Sequence, residues 1–208
     1  MNTTVGNFKR DMRRTGVEAY NSLPVNFGDI QALVFGGPFH EYVPGQRRLV
    51  SVKLAQECEI PANITVPSED FGTPTHAAMH VGVRRAIEAV LAGNDLYAGC
   101  GAGIGRTGTF MACLVKVMFD YAAAEATSDL EVSHDPVLYV RKHYLGHAVE
   151  TSGQRKFIQE FATANHVTWL SKKLNPTPIE VTRVQSVDRV VYTFNPYFAF
   201  LQLFDKLK

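Results

Sequence analysis

The sequence predicts an α/β fold with a central mixed β-sheet flanked by helices. Short apolar or β-branched runs at residues 30–35, 48–54 and 96–99 have the composition of strands. Apolar residues recur at helical spacing over residues 77–91 and again from residue 110 onward. Strands that alternate with helices define the α/β class, and the unequal connections between them favour a sheet with both parallel and antiparallel pairs.

The elements follow from local signals taken in chain order. The helix over residues 77–91 is stopped by the pair Gly93 and Asn94, and the strand at 96–99 leads into a glycine-dense loop and then a long helix. A further helix is predicted to begin at Asp135, because proline follows this capping residue at the first helical position. Thr151 and Gln154 have the spacing of a capping box that opens a helix over residues 154–161.

The chain length favours one domain with extensions. At 208 residues it is long for one average domain and short for two. We predict a basic N-terminal segment over residues 1–24, a catalytic domain over 25–170, and a C-terminal extension over 171–208 docked on the core. Within the extension, residues 179–184 and 189–194 look like strands and an aromatic-rich helix closes the chain.

Composition excludes several classes of protein. Apolar residues make up 46% and charged residues 20% of the chain, which are globular values and exclude a disordered or coiled-coil protein. The 21 Lys and Arg nearly balance the 20 Asp and Glu, so the net charge is +1. Without a strong field, neither nucleic acid nor a membrane is expected as a partner, and the oligomeric state stays open.

The cysteines predict a reducing environment. Cys58, Cys100 and Cys113 are too few and too scattered for a disulfide scaffold or a structural zinc site, so no metal is expected. No stretch resembles a signal peptide and no window approaches the length of a membrane span. We therefore expect a cytoplasmic protein.

The loop that follows the strand at 96–99 is suited to binding an anion. Between a strand and a helix N-terminus, a glycine-rich turn can direct backbone N–H groups inward, and the helix dipole strengthens their attraction for a phosphate. Arg106 adds a planar fork for two phosphate oxygens, and the same field favours a thiolate at Cys100. The Thr107 hydroxyl can donate a hydrogen bond to that sulfur. The predicted phosphate-binding backbone comprises Gly101, Ala102, Gly103, Ile104 and Gly105.

Two other kinds of phosphate-binding loop fit this sequence less well. A Walker-type loop fails, because Cys100 stands where its first glycine belongs and Arg106 where its lysine belongs. The dinucleotide pattern Gly-x-Gly-x-x-Gly does occur at residues 103–108, but Asp129 at the expected spacing has no strand before it.

The run Cys-Gly-Ala-Gly-Ile-Gly-Arg-Thr, from Cys100 to Thr107, resembles the Cys-x5-Arg-Ser/Thr signature of the protein tyrosine phosphatase superfamily, in its compact dual-specificity-like branch. The resemblance implies that Cys100 attacks a phosphate monoester to form a phosphocysteine, while Arg106 and the loop amides bind the phosphate. It implies no cofactor. The implied substrate is a phosphorylated protein, with phosphotyrosine as the leading residue and phosphoserine or phosphothreonine open.

The same resemblance assigns two further residues. Asp70, in Pro-Ser-Glu-Asp-Phe-Gly, is similar to the acid that protonates the leaving oxygen, and Gln154, in Val-Glu-Thr-Ser-Gly-Gln, to the glutamine that positions the hydrolytic water. Simpler roles stay open: Asp70 can cap the helix near Thr75, Gln154 can serve only as the capping partner of Thr151, and Glu69 can replace Asp70 as the acid.

The sequence also departs from the superfamily pattern. Gly99 stands where most members have histidine before the nucleophile, and Tyr144 stands near the position of an arginine that supports the loop. The five residues between Cys100 and Arg106 include no Lys, Arg or His, which disfavours polyphosphorylated lipids and triphosphate-ended RNA. Phosphoinositide or RNA 5'-triphosphate hydrolysis, and a phosphate-binding module without turnover, remain the alternatives. Cys58 is most simply a core thiol, although pairing with Cys100 under oxidation stays open.

Overall fold

The computed structural model describes residues 21–126 and 135–176. This part of the chain contains five strands, one short 3-10 helix at Phe39–Glu41 and five α-helices. The strands are β1 (Asn21–Phe27), β2 (Ile30–Pro38), β3 (Leu49–Ala55), β4 (Ile64–Ser68) and β5 (Asp95–Cys100). The helices are α1 (His76–Leu91), α2 (Gly105–Glu125), α3 (Pro136–His143), α4 (Ser152–Glu160) and α5 (Ala164–Leu174).

The strands form one mixed sheet in the order β1-β2-β5-β3-β4. The β1 and β2 strands pair antiparallel, and the remaining neighbours pair parallel. A two-residue turn joins β1 to β2, and its first residue, Gly28, has a left-handed φ of +60°. The α/β class with a mixed sheet is therefore confirmed.

The helices pack on one face of this sheet. Alternate strand residues join residues of α1 and α2 in the main hydrophobic cluster, and α2 is buried along most of its length because α3, α4 and α5 pack around it. A smaller aromatic cluster covers the opposite face. Its buried members are Phe35, Phe39, Tyr42, Leu49 and Tyr97.

The two predicted helix caps are confirmed, although α4 spans Ser152–Glu160 and so begins two residues before the predicted range of 154–161. Asp135 caps α3 by accepting from the backbone N–H groups of Val137 and Leu138 at 2.7 and 3.2 Å. Thr151 and Gln154 form the predicted capping box of α4. Four elements are absent from the prediction, namely β1, β4, α5 and the short 3-10 helix.

The predicted bounds of the catalytic domain, residues 25 and 170, fall inside the first strand and the last helix of the described structure. The sheet already begins at Asn21, ahead of residue 25, and α5 continues to Leu174, past residue 170. By its internal contacts the chain separates into the units Met1–Pro176 and Thr177–Lys208. The basic residues of 1–20 and the predicted strands and helix of the extension lie outside the described residues, so the division stays a prediction. Within the described ranges, no helix combines the length and apolarity that crossing a membrane requires.

Candidate active site

The glycine loop lies at the carboxyl end of the central strand of the sheet. Cys100 is the last residue of β5, and α2 begins at Gly105, so four residues turn the chain from strand to helix. Gly103 has a φ of +74°, and a Cβ there would lie 2.5–2.8 Å from the backbone of Gly37. A side chain at this position is therefore excluded twice, by backbone conformation and by space.

Arg106 is buried under the loop and is held by oxygen atoms from two other segments. Its Nη1 donates to Glu57 Oε2 and to the Ser68 carbonyl, both at 2.9 Å, and its Nη2 donates to Glu57 Oε1 at 2.6 Å. Burial opposes the charge of Arg106, but the hydrogen bonds with Glu57 and the nearby Cys100 sulfur raise its pKa overall. The guanidinium is therefore a fixed positive charge beside the cysteine.

Both carboxylate oxygens of Glu57 accept hydrogen bonds from Arg106, and this bidentate ion pair fixes the plane of the guanidinium. The hydrogen bonds from Arg106 hold the pKa of Glu57 below its usual range. No sequence signal singled out Glu57, because it follows β3 by only two residues and belongs to no motif.

Asp70 is brought to the same guanidinium. Its Oδ1 lies 3.0 Å from Arg106 Nη2, while 69% of its side chain is exposed. Asp70 does not cap α1, because the side chain of Thr75 accepts from the N–H of Ala78 instead. Of the two carboxylates in this loop, the structure thus ion-pairs Asp70, and not Glu69, with the arginine.

Gln154 is fully buried, and its hydrogen bonds connect the start of α4 to the loop that carries Asp70. Its Oε1 accepts from the backbone N–H groups of Glu150 and Thr151, at 2.8 and 3.3 Å. Its Nε2 donates to the Gly72 carbonyl at 3.3 Å. Gln154 is therefore a capping residue and also a neighbour of the loop that carries Asp70.

Cys100 is buried, with 3% of the residue exposed, and its sulfur interacts electrostatically with Arg106. The Thr107 hydroxyl is buried and has no hydrogen-bond partner among the described residues, so the predicted bond to the sulfur is not formed in this arrangement. Cys113 lies fully buried in α2, where burial raises its pKa, as expected of a packing thiol. Cys58 is a partly buried free thiol packed against both hydrophobic clusters.

The two departures from the superfamily pattern have structural causes. A Cβ at Gly99 would lie 2.8 Å from the Gly37 carbonyl oxygen and 3.1 Å from Phe39 Cα, so the backbone of Gly37 and Phe39 leaves no space for a histidine side chain. The hydroxyl of Tyr144 donates a hydrogen bond to the carbonyl of Gly103, within the turn between β5 and α2. A buried tyrosine thus contacts the loop that an arginine supports in the superfamily.

Glu150 is a further carboxylate at the loop that the sequence did not single out. A Cβ on Gly105 would lie 2.3 Å from Glu150 Oε2 and 2.9 Å from Gln154 Nε2. The carboxylate and the amide therefore cover the same side of Gly105, directly before Arg106. Glu150 lies inside the Val-Glu-Thr-Ser-Gly-Gln motif, and that placement was the one available signal.

A parallel strand that delivers a cysteine into a glycine loop, above a buried arginine and beside an aspartate, defines the class of cysteine-dependent phosphatases of the protein tyrosine phosphatase superfamily. The chain belongs to this superfamily. Residues 50–185 match the family model described as "Swiss Army Knife protein, DSP-PTPase phosphatase domain". The protein therefore contains a phosphatase domain of the dual-specificity-like branch, as the resemblance implied.

Two archaeal relatives share part of this sequence. The uncharacterized protein MJECL20 of Methanocaldococcus jannaschii is 33% identical over 96 residues. The matched stretch covers 46% of this chain, and this chain spans 56% of the relative's length. The uncharacterized protein MJ0215 of the same organism is 32% identical over 60% of this chain and 75% of the relative. Among solved structures, kinase associated phosphatase with serine in place of its catalytic cysteine has a TM-score of 0.48 and 14% identity, covering 73% of this chain and 97% of that chain.

Proposed function

We propose that this domain hydrolyses phosphate monoesters through a phosphocysteine intermediate, with phosphotyrosine in proteins as the preferred substrate class. The observation that carries the proposal is the fixed guanidinium of Arg106, which lies beside Cys100 and within 3.0 Å of Asp70. Nucleophile, anion partner and proton donor are thus supplied around one loop.

The proposed reaction has two steps. Cys100 attacks phosphorus and the bond to the leaving oxygen breaks, while Asp70 gives that oxygen its proton. Water then attacks the phosphocysteine, the sulfur–phosphorus bond breaks, and Asp70 takes a proton from the water. The loop amides and Arg106 stabilise the charge on the transferred phosphoryl group in both steps.

The charges near the loop favour a substrate with a single phosphate. Besides Arg106, the charged side chains that the structure describes at the loop are carboxylates, namely Glu57, Asp70 and Glu150. Further phosphates on the same ligand would meet these negative charges, whereas a lone phosphate on a neutral phenol would not. This is the ground for preferring phosphotyrosine over inositol polyphosphates and triphosphate-ended RNA.

The test is release of nitrophenol from an aryl phosphate by the full chain. We expect Cys100→Ser to abolish turnover and Asp70→Asn to lower kcat by about 10²–10⁴, the usual contribution of a general acid. Phosphotyrosine peptides are then compared with phosphoserine peptides, inositol phosphates and triphosphate-ended RNA. Phosphate binding without any release would make the domain a binding module, and faster turnover of a polyphosphate would overturn the substrate preference.

A further inference from the structure

Gln154 has too few free hydrogen-bonding positions to orient the hydrolytic water alone. Both acceptor positions of its Oε1 are used by the backbone N–H groups of Glu150 and Thr151, and one hydrogen of Nε2 is donated to the Gly72 carbonyl. One N–H remains. Gln154 can therefore donate to a water oxygen, but it has no lone pair left to accept from that water.

An attacking water is oriented best when both of its hydrogens meet acceptors. In the proposed second step Asp70 accepts the one that leaves as a proton. The second hydrogen needs another acceptor on the same side of the loop as Gln154. Glu150 meets this requirement, because its Oε2 and the Nε2 of Gln154 lie against the same side of Gly105.

The backbone directly before Glu150 is strained and is held in place by neighbouring groups. Val149 is a buried β-branched residue with a φ of +63°, a conformation that costs on the order of 1–3 kcal/mol. Arg141 holds this conformation by donating to the carbonyls of Ala148 and Val149 at 2.9 and 3.1 Å. The Val149 nitrogen also packs against Gly108, where a Cβ would lie only 2.8 Å away.

We propose that Glu150 is a further catalytic residue, which accepts a hydrogen bond from the attacking water during hydrolysis of the phosphocysteine. This inference rests on the proposed function. Glu150 only accepts a hydrogen bond: the departing proton goes to Asp70, the new oxygen–phosphorus bond forms, and the electrons of the broken sulfur–phosphorus bond return to the Cys100 sulfur. Gln154 donates to the water oxygen, so the two side chains orient the water as an acceptor and donor pair.

A catalytic role of Glu150 in the second step can be distinguished from a structural role by measuring the two steps separately. Glu150→Gln keeps the size of the side chain but removes the charge, so the first step continues while water is poorly held in the second. With an aryl phosphate we expect a burst of phenol at a rate within about twofold of the unchanged protein. Steady-state kcat falls by roughly tenfold to a hundredfold, below the full range of a general base because Asp70 remains. Acid-quenched protein then contains more phosphocysteine.

The burst amplitude counts the folded, reactive molecules, so a folding defect cannot imitate this result. Glu160→Gln is the matched control, because it removes an exposed carboxylate at the far end of α4 and should leave both steps unchanged. If kcat is equal for Glu150→Gln and the unchanged protein, the role of Glu150 is overturned while the proposed function stands. The same conclusion follows if the burst rate falls as much as kcat does. Absence of turnover and of phosphocysteine in the unchanged protein overturns the proposed function as well.

Discussion

At the scale of single residues, the carboxylates and the tyrosine around the loop show what tertiary structure adds to a motif. Cys100, Arg106 and Asp70 were predictable because their spacing and order form a pattern along the chain. Glu57 was not, because it reaches the loop from a separate segment and carries no local signal. The resemblance placed Tyr144 near the position of an arginine that supports the loop, but the hydrogen bond from Tyr144 to Gly103 was not predictable. Their contributions depend on distances that only folding sets, namely 2.6 Å to Arg106 for Glu57 and a hydrogen bond to Gly103 for Tyr144.

The hydroxyl of Tyr144 is expected to shape the loop. Tyr144→Phe leaves the buried Gly103 carbonyl without its donor, which costs about 1–3 kcal/mol. Because that carbonyl belongs to the phosphate-binding turn, we expect kcat/KM for an aryl phosphate to fall about tenfold, together with a lower melting temperature. Steady-state kinetics and thermal unfolding measure the two effects.

Tyr139 offers a matched control for this substitution. Its hydroxyl donates to the Pro24 carbonyl at 2.9 Å, so Tyr139→Phe removes the same kind of hydrogen bond from the same region of the chain, but away from the loop. We expect Tyr139→Phe to lower stability while kcat/KM stays within twofold. Equal kinetic losses in both variants would show that Tyr144 acts through general stability and not through the loop.

At the scale of elements, the two strands that the sequence did not predict share one cause. β1 contains Pro24 and β4 contains Pro67, and proline counts against a strand because it lacks a ladder donor. Both are edge strands, where a missing donor is tolerated. The helix α5 lacked a start signal for another reason, since Thr163 makes no capping bond and donates to Asp120 instead. The strand, loop and helix of the site were predictable because each has its own local signal.

The contact between α1 and α5 contains a histidine pair. His80 Nδ1 lies 2.9 Å from His166 Nε2, and both rings stack near Phe161. Burial, followed by the charges of His80 and Arg84, lowers the pKa of His166 to about 4, and burial also lowers the pKa of His80. Both histidines are therefore favoured as neutral groups in the folded protein.

This pair should make stability depend on mildly acidic pH. A lowered folded-state pKa means that the unfolded chain binds protons first, so the stabilisation is complete above about pH 6.5 and is lost as the pH falls toward 4. From His166 alone we expect the free energy of unfolding to fall by about 2 kcal/mol between pH 7.5 and pH 5. Urea titrations at the two pH values measure the difference.

Substitution identifies the group responsible. His166→Phe removes the titrating ring, so the loss between pH 7.5 and pH 5 should shrink by most of that amount even if the variant is less stable at both values. His40→Gln is the control, because His40 is exposed and should leave the difference unchanged. An undiminished pH difference in His166→Phe would assign the effect to other groups.

At the scale of the whole molecule, the five-stranded sheet and its main hydrophobic cluster lie within residues 21–126 and 135–176. α5 closes this unit: Leu170 is fully buried, and Ser171 and Asn175 donate to the two carboxylate oxygens of Glu125 at 2.7 and 3.0 Å. Leu174 lies near Gly28 in the turn between β1 and β2. The division by internal contacts places the end of the first unit at Pro176.

A chain shortened to residues 1–176 should therefore fold cooperatively and turn over an aryl phosphate within about twofold of the full chain. Each 1 kcal/mol that a docked extension contributes corresponds to about 2–4 °C in melting temperature, so we expect a small fall in the midpoint and no change in mechanism. A chain ending at residue 170 is the matched comparison, because it also loses Ser171, Leu174 and Asn175 and should melt at a clearly lower temperature. If the 1–176 chain is unfolded or inactive while the full chain is active, residues 177–208 complete the catalytic domain and the predicted division is wrong.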